Sequence, residues 1–339
     1  MEQLITILSK YDAGRVNKIS EISTGLINKT YLVEAGKGRF ILQKINPIFG
    51  KEVNFDLDAV SAYLEKKGMC AQRILPAASG GLFIENGGEI WRLLSFIPGR
   101  VFTKISSPNI ACEAGKILGK FHLIAGGLDY QFRHVRPMHH ATEVFFTKFK
   151  ELAIGIVDGD FRRLAAEIPD VRELYLPADL RKNVTHGDPK ISNIIFGEPA
   201  PGRFKAEALV DLDDCGRECN VLVELGDAFR SWCGAGEDDA RNYFDIEKFK
   251  AGLSGYLEGS RNFLKREELD LLPRAIRLIT LELAVRFLID YIEDSYFGWD
   301  PSKYASRKEH NFARAKGQVV LYKDMETKSG EIDAIIKKA

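Results

Sequence analysis

Apolar and polar positions alternate over short stretches in the first hundred residues and then shift to helical spacing. Segment 39–45 is β-branched and aromatic, follows Gly36 and Gly38, and predicts a strand, with 28–33 as its hairpin partner. Leu57, Val60, Tyr63 and Leu64 recur at the helical period across 56–67, and Gly68 closes that helix. Two further strands are expected at 81–84 and 90–94, separated by the turn residues Asn86, Gly87 and Gly88. Past Phe96-Ile97-Pro98-Gly99 the texture changes. The spacing is helical from 108 to 180, broken by the His- and Arg-rich stretch 132–140. A β-like interval returns at 191–213, and 245–335 is helical again. These elements predict an α+β chain, with a small β-rich lobe at 1–97 and a large, mostly helical lobe at 98–339. No internal repeat is visible.

The helix expected at 274–292 is apolar nearly all round, which implies burial in the second lobe. Yet Glu282, Arg286 and Asp290 form one charged stripe on it, since a step of four residues drifts only ~40° around a helix. Exposed, the stripe would be two ion pairs worth about 0.2–0.5 kcal/mol each. Buried, the charges must be paired or serve a ligand. Phe145, Phe146 and Phe149 fit the core-facing side of another helix, and 316–338 reads as a charged terminal helix. His134, His139 and His140, with Arg133 and Arg136, read as a solvated loop, because no carboxylate pattern accompanies them to complete a metal site.

Composition narrows the class. The 339 residues are 45% hydrophobic and 28% charged, which suits about two units each able to bury a core. The 48 basic and 48 acidic side chains cancel. That balance argues against a nucleic-acid partner held by phosphate neutralisation, while leaving room for a local basic pocket. No run approaches the ~18 apolar residues of a membrane span, and the first residues carry no signal-peptide pattern, so no membrane partner is expected. Five cysteines make no disulfide framework, and Cys215 and Cys219 lack the second ligand pair of a zinc site. The expectation is a cytoplasmic protein with reduced thiols and no obligate protein partner.

The chemistry concentrates at 184–196. Asp188 and Asn193 are separated by four residues, and eighteen residues beyond Asn193 an apolar strand ends in Asp211, Asp213 and Asp214. This spacing fits phosphoryl transfer. A carboxylate accepts the proton of an attacking hydroxyl, while an amide and a second carboxylate hold magnesium on nucleotide phosphates. Alone, Asp188 before Pro189 would be an ordinary turn or cap, and the acids a solvated loop. Capping does not call for an apolar strand aimed at three acids, so the combination points to a site.

His186-Gly187-Asp188, Asn193 and Val210-Asp211 together resemble the aminoglycoside phosphotransferase and choline kinase superfamily, the small-molecule branch of the protein-kinase fold. The resemblance extends to the bacterial N-acetylhexosamine 1-kinases through 25–31, 40–46 and Asp211-Leu212-Asp213. It continues through Gly226-Asp227-Ala228-Phe229-Arg230, the helix 281–291, Tyr296-Phe297 and 310–315, and so covers nearly the whole chain. It implies a bilobal kinase-like fold, ATP as co-substrate, Mg2+ as cofactor, and a sugar as the partner molecule. Asp188 becomes the catalytic base that also touches the acceptor; Asn193 and Asp211 become metal ligands, with Asp213 as an outer or second metal contact. Ser23, Thr24, Gly25 and Asn28 would form the loop over the phosphates. Lys44 is the residue expected to reach the α- and β-phosphates, unless the opposite strand face, that of Gln43, is the one turned to the cleft. The acidic helix partner of that lysine would be Asp56 or Asp58. Ser95, Phe96 and Ile97 fall where the connector between lobes meets adenine. Arg286 and Tyr296 match sugar contacts, and Arg230 matches as well, though it could equally hold the acidic loop.

Two positions depart from that pattern. The hexosamine kinases have histidine where this chain has Leu26, and asparagine where it has Gly187, which leaves the particular sugar open. Other acceptors within the superfamily are an aminoglycoside, choline, homoserine or methylthioribose. Choline calls for an aromatic cage, and Trp91, Trp232 and Trp299 are scattered. An aminoglycoside calls for an acidic pocket, against which Arg286 speaks. A non-catalytic nucleotide-binding pseudokinase would lack Asp188, Asn193 or Asp211, and all three are present.

Overall fold

The computed structural model describes residues 1–22, 27–134, 140–261 and 263–339. Ser23, Thr24, Gly25 and Leu26, and likewise Arg136 and His139, lie outside the described residues.

The β-branched and aromatic segments near the start pair into one antiparallel sheet. Helix α1 (Glu2–Leu8) precedes β1 (Val16–Ile22), β2 (Lys29–Ala35) and β3 (Gly38–Lys44). Helix α2 (Val53–Lys66) follows, then β4 (Ile74–Leu75), β5 (Ile84–Asn86) and β6 (Glu89–Ser95). The strand order is β1-β2-β3-β6-β4, with β5 beside β6. The expected hairpin is present as β2 and β3, joined by the two-residue turn Gly36-Lys37, with Gly38 opening β3 at φ +135. Alternation sends the two faces of the sheet to different helices. Val33, Leu42, Trp91 and Leu93 pack with Leu4, Ile7 and Leu8 of α1, whereas Ile41 and Leu94 pack with Leu57, Val60 and Leu64 of α2. Register places Gln43 opposite Arg92 and Lys44 opposite Trp91.

From β6 the chain passes through Phe96 to Gly99 into β7 (Arg100–Val101), the first strand of a second, three-stranded sheet, and then enters α3 (Pro108–Ala125). Ser107 caps α3 by accepting from the Ile110 N–H, and proline stands in its first turn. Helices α4 (Thr142–Ala153) and α5 (Gly159–Ala166) follow. Strands β8 (Ile194–Ala200) and β9 (Arg203–Leu209) complete the small sheet. The remainder is helical: α6 (Val221–Cys233), α7 (Ile246–Ser260), α8 (Arg266–Asp270), α9 (Leu272–Glu293), α10 (Arg307–Thr327) and α11 (Ser329–Lys338).

As its apolar circumference implies, α9 is the buried axis of this part, packed by α6, α10 and α4. Phe146 and Phe149 of α4 join its core, while Phe145 stays half-buried beside Arg286. Helices α3 and α7 approach more closely than ordinary side chains allow. A Cβ at Gly115 or Gly119 would overlap the carbonyls of Gly252 or Tyr256, and one at Gly255 or Gly259 those of Cys112 or Lys116. Glycines therefore line both sides of this seam. Among the described residues no helix is long and apolar enough to cross a membrane.

Candidate active site

The site is assembled from loops at the ends of β8, β9 and α6. His186 is buried, and its Nε2 meets the Val210 carbonyl at 3.0 Å, tying the loop before Asp188 to the chain leaving β9. Gly187 sits at φ +86, where a Cβ would overlap the Asp214 carbonyl, so the backbone passes closer to that turn than an asparagine could. Its N–H donates to Glu224 Oε1 at 2.6 Å. Glu224 is buried on α6, its other oxygen takes His122 Nε2, and His122 Nδ1 meets the Tyr256 hydroxyl at 2.9 Å. Helices α3, α6 and α7 thus jointly fix the loop that carries Asp188. Trp232 adds a 2.9 Å bond from Nε1 to the Pro189 carbonyl.

Asp188, half-buried, receives Asn193 Nδ2 at 3.3 Å on Oδ2 and at 2.9 Å on its carbonyl. Lys190 Nζ also binds Oδ2. The Asn193 carbonyl accepts the Val210 N–H at 2.9 Å, and that bond sets Asp211 beside the other two. Asp211 adopts φ +67 and ψ +58, a left-handed conformation that costs a non-glycine residue about 1 kcal/mol or more. Burial, with Asp213 and Asp188 nearby, pushes its carboxyl up to about 7 against the opposing pull of Lys190 and Arg92. Burial pulls the Lys190 ammonium down, but Asp188, Asp211 and Asp214 outweigh it and hold it above its ordinary range. Asp188, Asn193 and Asp211 are therefore brought together, as their spacing predicts. Lys190 was missed, although its position two residues after Asp188 in an extended segment puts both on one side.

Asp213 faces the first sheet. Arg92 Nη1 lies 2.7 Å from its Oδ1, Arg92 Nη2 donates to Oδ2 at 2.8 Å, and Asn28 Nδ2 donates to Oδ2 at 2.7 Å. Gln43 Oε1 accepts from Arg92 Nε and Nη2, and Gln43 Nε2 donates to Thr30. Lys44 is not brought to the acids. It pairs with Glu89 on the α1 side of the sheet, where Gln3 and Trp91 also bind that carboxylate. Asp56 accepts from the Tyr130 hydroxyl and the N–H groups of Arg133 and His134, and Asp58 pairs with Arg73, so neither acid meets Lys44. At the connector, the Ser95 N–H donates to the Arg73 carbonyl and its own carbonyl accepts from Gln72; half-buried Phe96 lies 4.1 Å beneath the Arg39 guanidinium, and Ile97 is half-buried beside it.

A second polar cluster lies on α9 and α6. Glu282 is fully buried and receives His140 Nδ1 at 3.0 Å, the Thr142 hydroxyl, and Arg286 at 3.6 Å. Burial raises its carboxyl, yet His140, Arg286 and Thr142 together take it below the ordinary range. The Arg286 guanidinium lies 5.1 Å over Phe145 and 5.7 Å over Phe297. Burial likewise raises Asp227, but Arg230, His140 and Arg286 prevail, so its carboxyl is lowered. Arg230 is committed to Asp227, Glu237 and Gln318. The charged stripe does not continue to Asp290, which accepts the N–H groups of Ser295, Tyr296 and Phe297 and the Asn311 amide. Tyr296, half-exposed, is edge-on to Phe297 at 4.9 Å. His140 belongs to this cluster and not to a solvated loop. No periodicity signals it, because a ligand from an irregular segment meets a helix more than a hundred residues later.

Among the described residues no three His, Cys, Asp or Glu side chains are grouped to cage a metal ion. The acid and amide oxygens of Asp211 and Asn193 instead suit a hard divalent cation whose remaining ligands come from phosphates and water.

A roof sheet over a helical base, with a carboxylate, an amide and a second carboxylate at their junction, defines a kinase-like small-molecule phosphotransferase. Residues 18–257 match the phosphotransferase enzyme family APH, and the chain belongs to that family. It is 26% identical over 303 residues to a homoserine kinase of Rhizobium meliloti (strain 1021), covering 86% of this chain and 85% of that protein. Its fold resembles an aminoglycoside phosphotransferase from Alicyclobacillus acidocaldarius, with a TM-score of 0.64 at 14% identity over 97% of this chain and 96% of the other. An amicoumacin kinase in complex with AMP-PNP, Ca2+ and Ami gives 0.63 at 15% identity over 94% and 92%.

Proposed function

We propose that this phosphotransferase transfers the γ-phosphoryl group of ATP to a hydroxyl of a small molecule, with the anomeric hydroxyl of an N-acetylhexosamine as its acceptor. The convergence of Asp188, Asn193 and Asp211 in one loop cluster carries the reading. In this reading residues 1–97 cover the nucleotide, residues 98–339 hold the acceptor, and Ser95 to Ile97 border the base. Asp188 orients the hydroxyl and accepts its proton, and its contact with Lys190 keeps a positive charge next to the transferring group. Asn193 and Asp211 would hold Mg2+ together with phosphate oxygens. When bound, that ion neutralises charge on the phosphates.

The acceptor reading is supported by buried Glu282 and the half-buried polar groups of His140, Thr142 and Arg286, with the rings of Phe145 and Phe297 beside Arg286 and Tyr296 edge-on to Phe297. This mixture suits a ring with several hydroxyls and one apolar side, because a site built to hydrogen-bond a hydroxyl rejects molecules lacking it. Homoserine is the second reading, favoured by the relative from Rhizobium; its carboxylate and ammonium would use Arg286 and Asp227.

Steady-state ATP consumption with N-acetylglucosamine, N-acetylgalactosamine, homoserine, choline and an aminoglycoside separates these readings. The expected product is a sugar phosphate whose phosphorus couples to the anomeric proton in NMR. A higher kcat/KM for homoserine than for either sugar overturns the sugar acceptor. Background turnover with all of them, while AMP-PNP still binds, leaves a binding module. Asp188→Asn should lower kcat by about 10²–10⁴-fold with ATP affinity nearly unchanged, measured by kinetics and calorimetry.

A further inference from the structure

A buried arginine in the roof sheet grips the turn that carries the metal-facing acid. Arg92 is fully buried on β6, and its side chain and that of Asp213 are only 1% and 2% exposed. Two nitrogens of the guanidinium meet the two oxygens of Asp213, at 2.7 and 2.8 Å. Gln43 holds the same guanidinium from the side through Nε and Nη2 at 2.9 and 2.6 Å, which fixes its plane. Asn28 completes the hold on Asp213 from the start of β2. Asp213 is the middle residue of the tight turn Leu212–Asp214, which begins immediately after Asp211. Asp211 holds a left-handed backbone conformation, which aspartate adopts more readily than most non-glycine residues but still at some cost, so a fixed neighbouring turn helps to keep it there. Of the two approaches only that from Nη2 to Oδ2 is a hydrogen bond, while Nη1 and Oδ1 meet as a close charge pair without one. An ion pair buried this deeply needs further hydrogen bonds, which the guanidinium makes to Gln43 and the carboxylate receives from Asn28.

We propose that Arg92 is the positioning residue of the metal-holding turn: through Asp213 it fixes the conformation in which Asp211 faces Asn193. Asp213 thus acts through its neighbour, its Oδ2 accepting from Arg92 and Asn28 and its Oδ1 lying against the Arg92 charge. The roof sheet supplies this cation from β6, across from an uncharged Gln43 on β3, while Lys44 serves Glu89 on the other face. The inference rests on the reading that Asn193 and Asp211 hold the metal–nucleotide.

The test uses the full chain with Mn2+ and AMP-PNP, free Mn2+ being followed by electron paramagnetic resonance. ADP binding in EDTA is measured beside it by calorimetry. Arg92→Gln should weaken Mn2+ in the ternary complex by about tenfold or more, with metal-free nucleotide affinity within about threefold, and Arg92→Lys should fall between. Because Arg92→Gln leaves a buried carboxylate unpaired, the double variant Arg92→Gln with Asp213→Asn is measured too; it removes both charges, and the same selective loss of Mn2+ is expected. Unchanged Mn2+ affinity in either folded variant overturns the proposal, as does an equal loss of metal-free nucleotide binding. Failure of the unsubstituted chain to bind Mn2+ with AMP-PNP overturns the reading of the site, and this proposal with it.

Discussion

Gly187 shows how much of the site depends on single atoms. The positive φ excludes most side chains on strain alone, and the Asp214 carbonyl occupies the space a Cβ would need. Asparagine tolerates left-handed backbone better than alanine, so strain by itself would permit asparagine here; the close approach of Asp214 does not. Gly187→Ala and Gly187→Asn should both destabilise the fold by about 1–3 kcal/mol and lower turnover, measured by urea unfolding and kinetics. Wild-type stability in the asparagine variant would show that the turn at Asp214 can yield. In the sequence this glycine is merely a departure from a pattern, since nothing in a string of letters encodes a dihedral angle. Asp188, Asn193 and Asp211 were legible for the opposite reason: their chemistry is carried by residue type and spacing. Whether Gln43 or Lys44 turns to the cleft is not legible in the sequence, because it depends on which helix covers which face of the sheet, and the seven residues of α1 are too few for an apolar pattern to stand out.

Helices differ in how openly they declare their surroundings. The all-round apolar character of α9 announces a buried axis, and the hairpin of β2 and β3 follows from alternation and two glycines. The seam between α3 and α7 carries an equally strong constraint with a weaker signature. Gly115 and Gly119 are four residues apart on one helix, and Gly252, Gly255 and Gly259 recur on the other, but the two sets recognise each other only once folded. Helices in contact through backbone carry His122 and Tyr256 across the seam to Glu224 and hence to Gly187. Widening the seam should therefore loosen the catalytic loop. Gly255→Ala, whose Cβ would overlap the Cys112 carbonyl, is expected to cost about 1–3 kcal/mol or more in urea unfolding, and to reduce kcat further than the fraction unfolded explains. A loss of stability with kcat per folded molecule intact would confine the seam to a structural role.

Across the described residues the sheet and the helical base share one apolar core, crossed by polar contacts that range from buried to half-buried. Asn28 and Arg92 reach down to Asp213, and Asp56 of α2 holds the loop at Arg133 and His134. A metal–nucleotide bound at this junction as proposed would touch both parts and should stabilise them as one unit. At a free concentration about a hundred times its dissociation constant, Mg2+ with AMP-PNP should add roughly 2.7 kcal/mol to the unfolding free energy. Differential scanning fluorimetry should show the melting temperature rise with the complex and fall back when EDTA removes the metal. An unchanged melting temperature at these concentrations would show that the metal–nucleotide does not bind the folded chain. The fold class was legible at this scale from the change of texture near residue 98, whereas the contacts across the junction were not, because each joins residues separated by 77 to 185 positions.

The cross-strand placement of Arg92 opposite Gln43 has an evolutionary consequence. If the roof needs one cation above the acids and has room for only one, the two columns of an alignment should covary: a basic residue at position 43 should accompany loss of the arginine at position 92. A motif written along β3 alone would then read such chains as having lost an essential charge, when the charge has only moved one strand over.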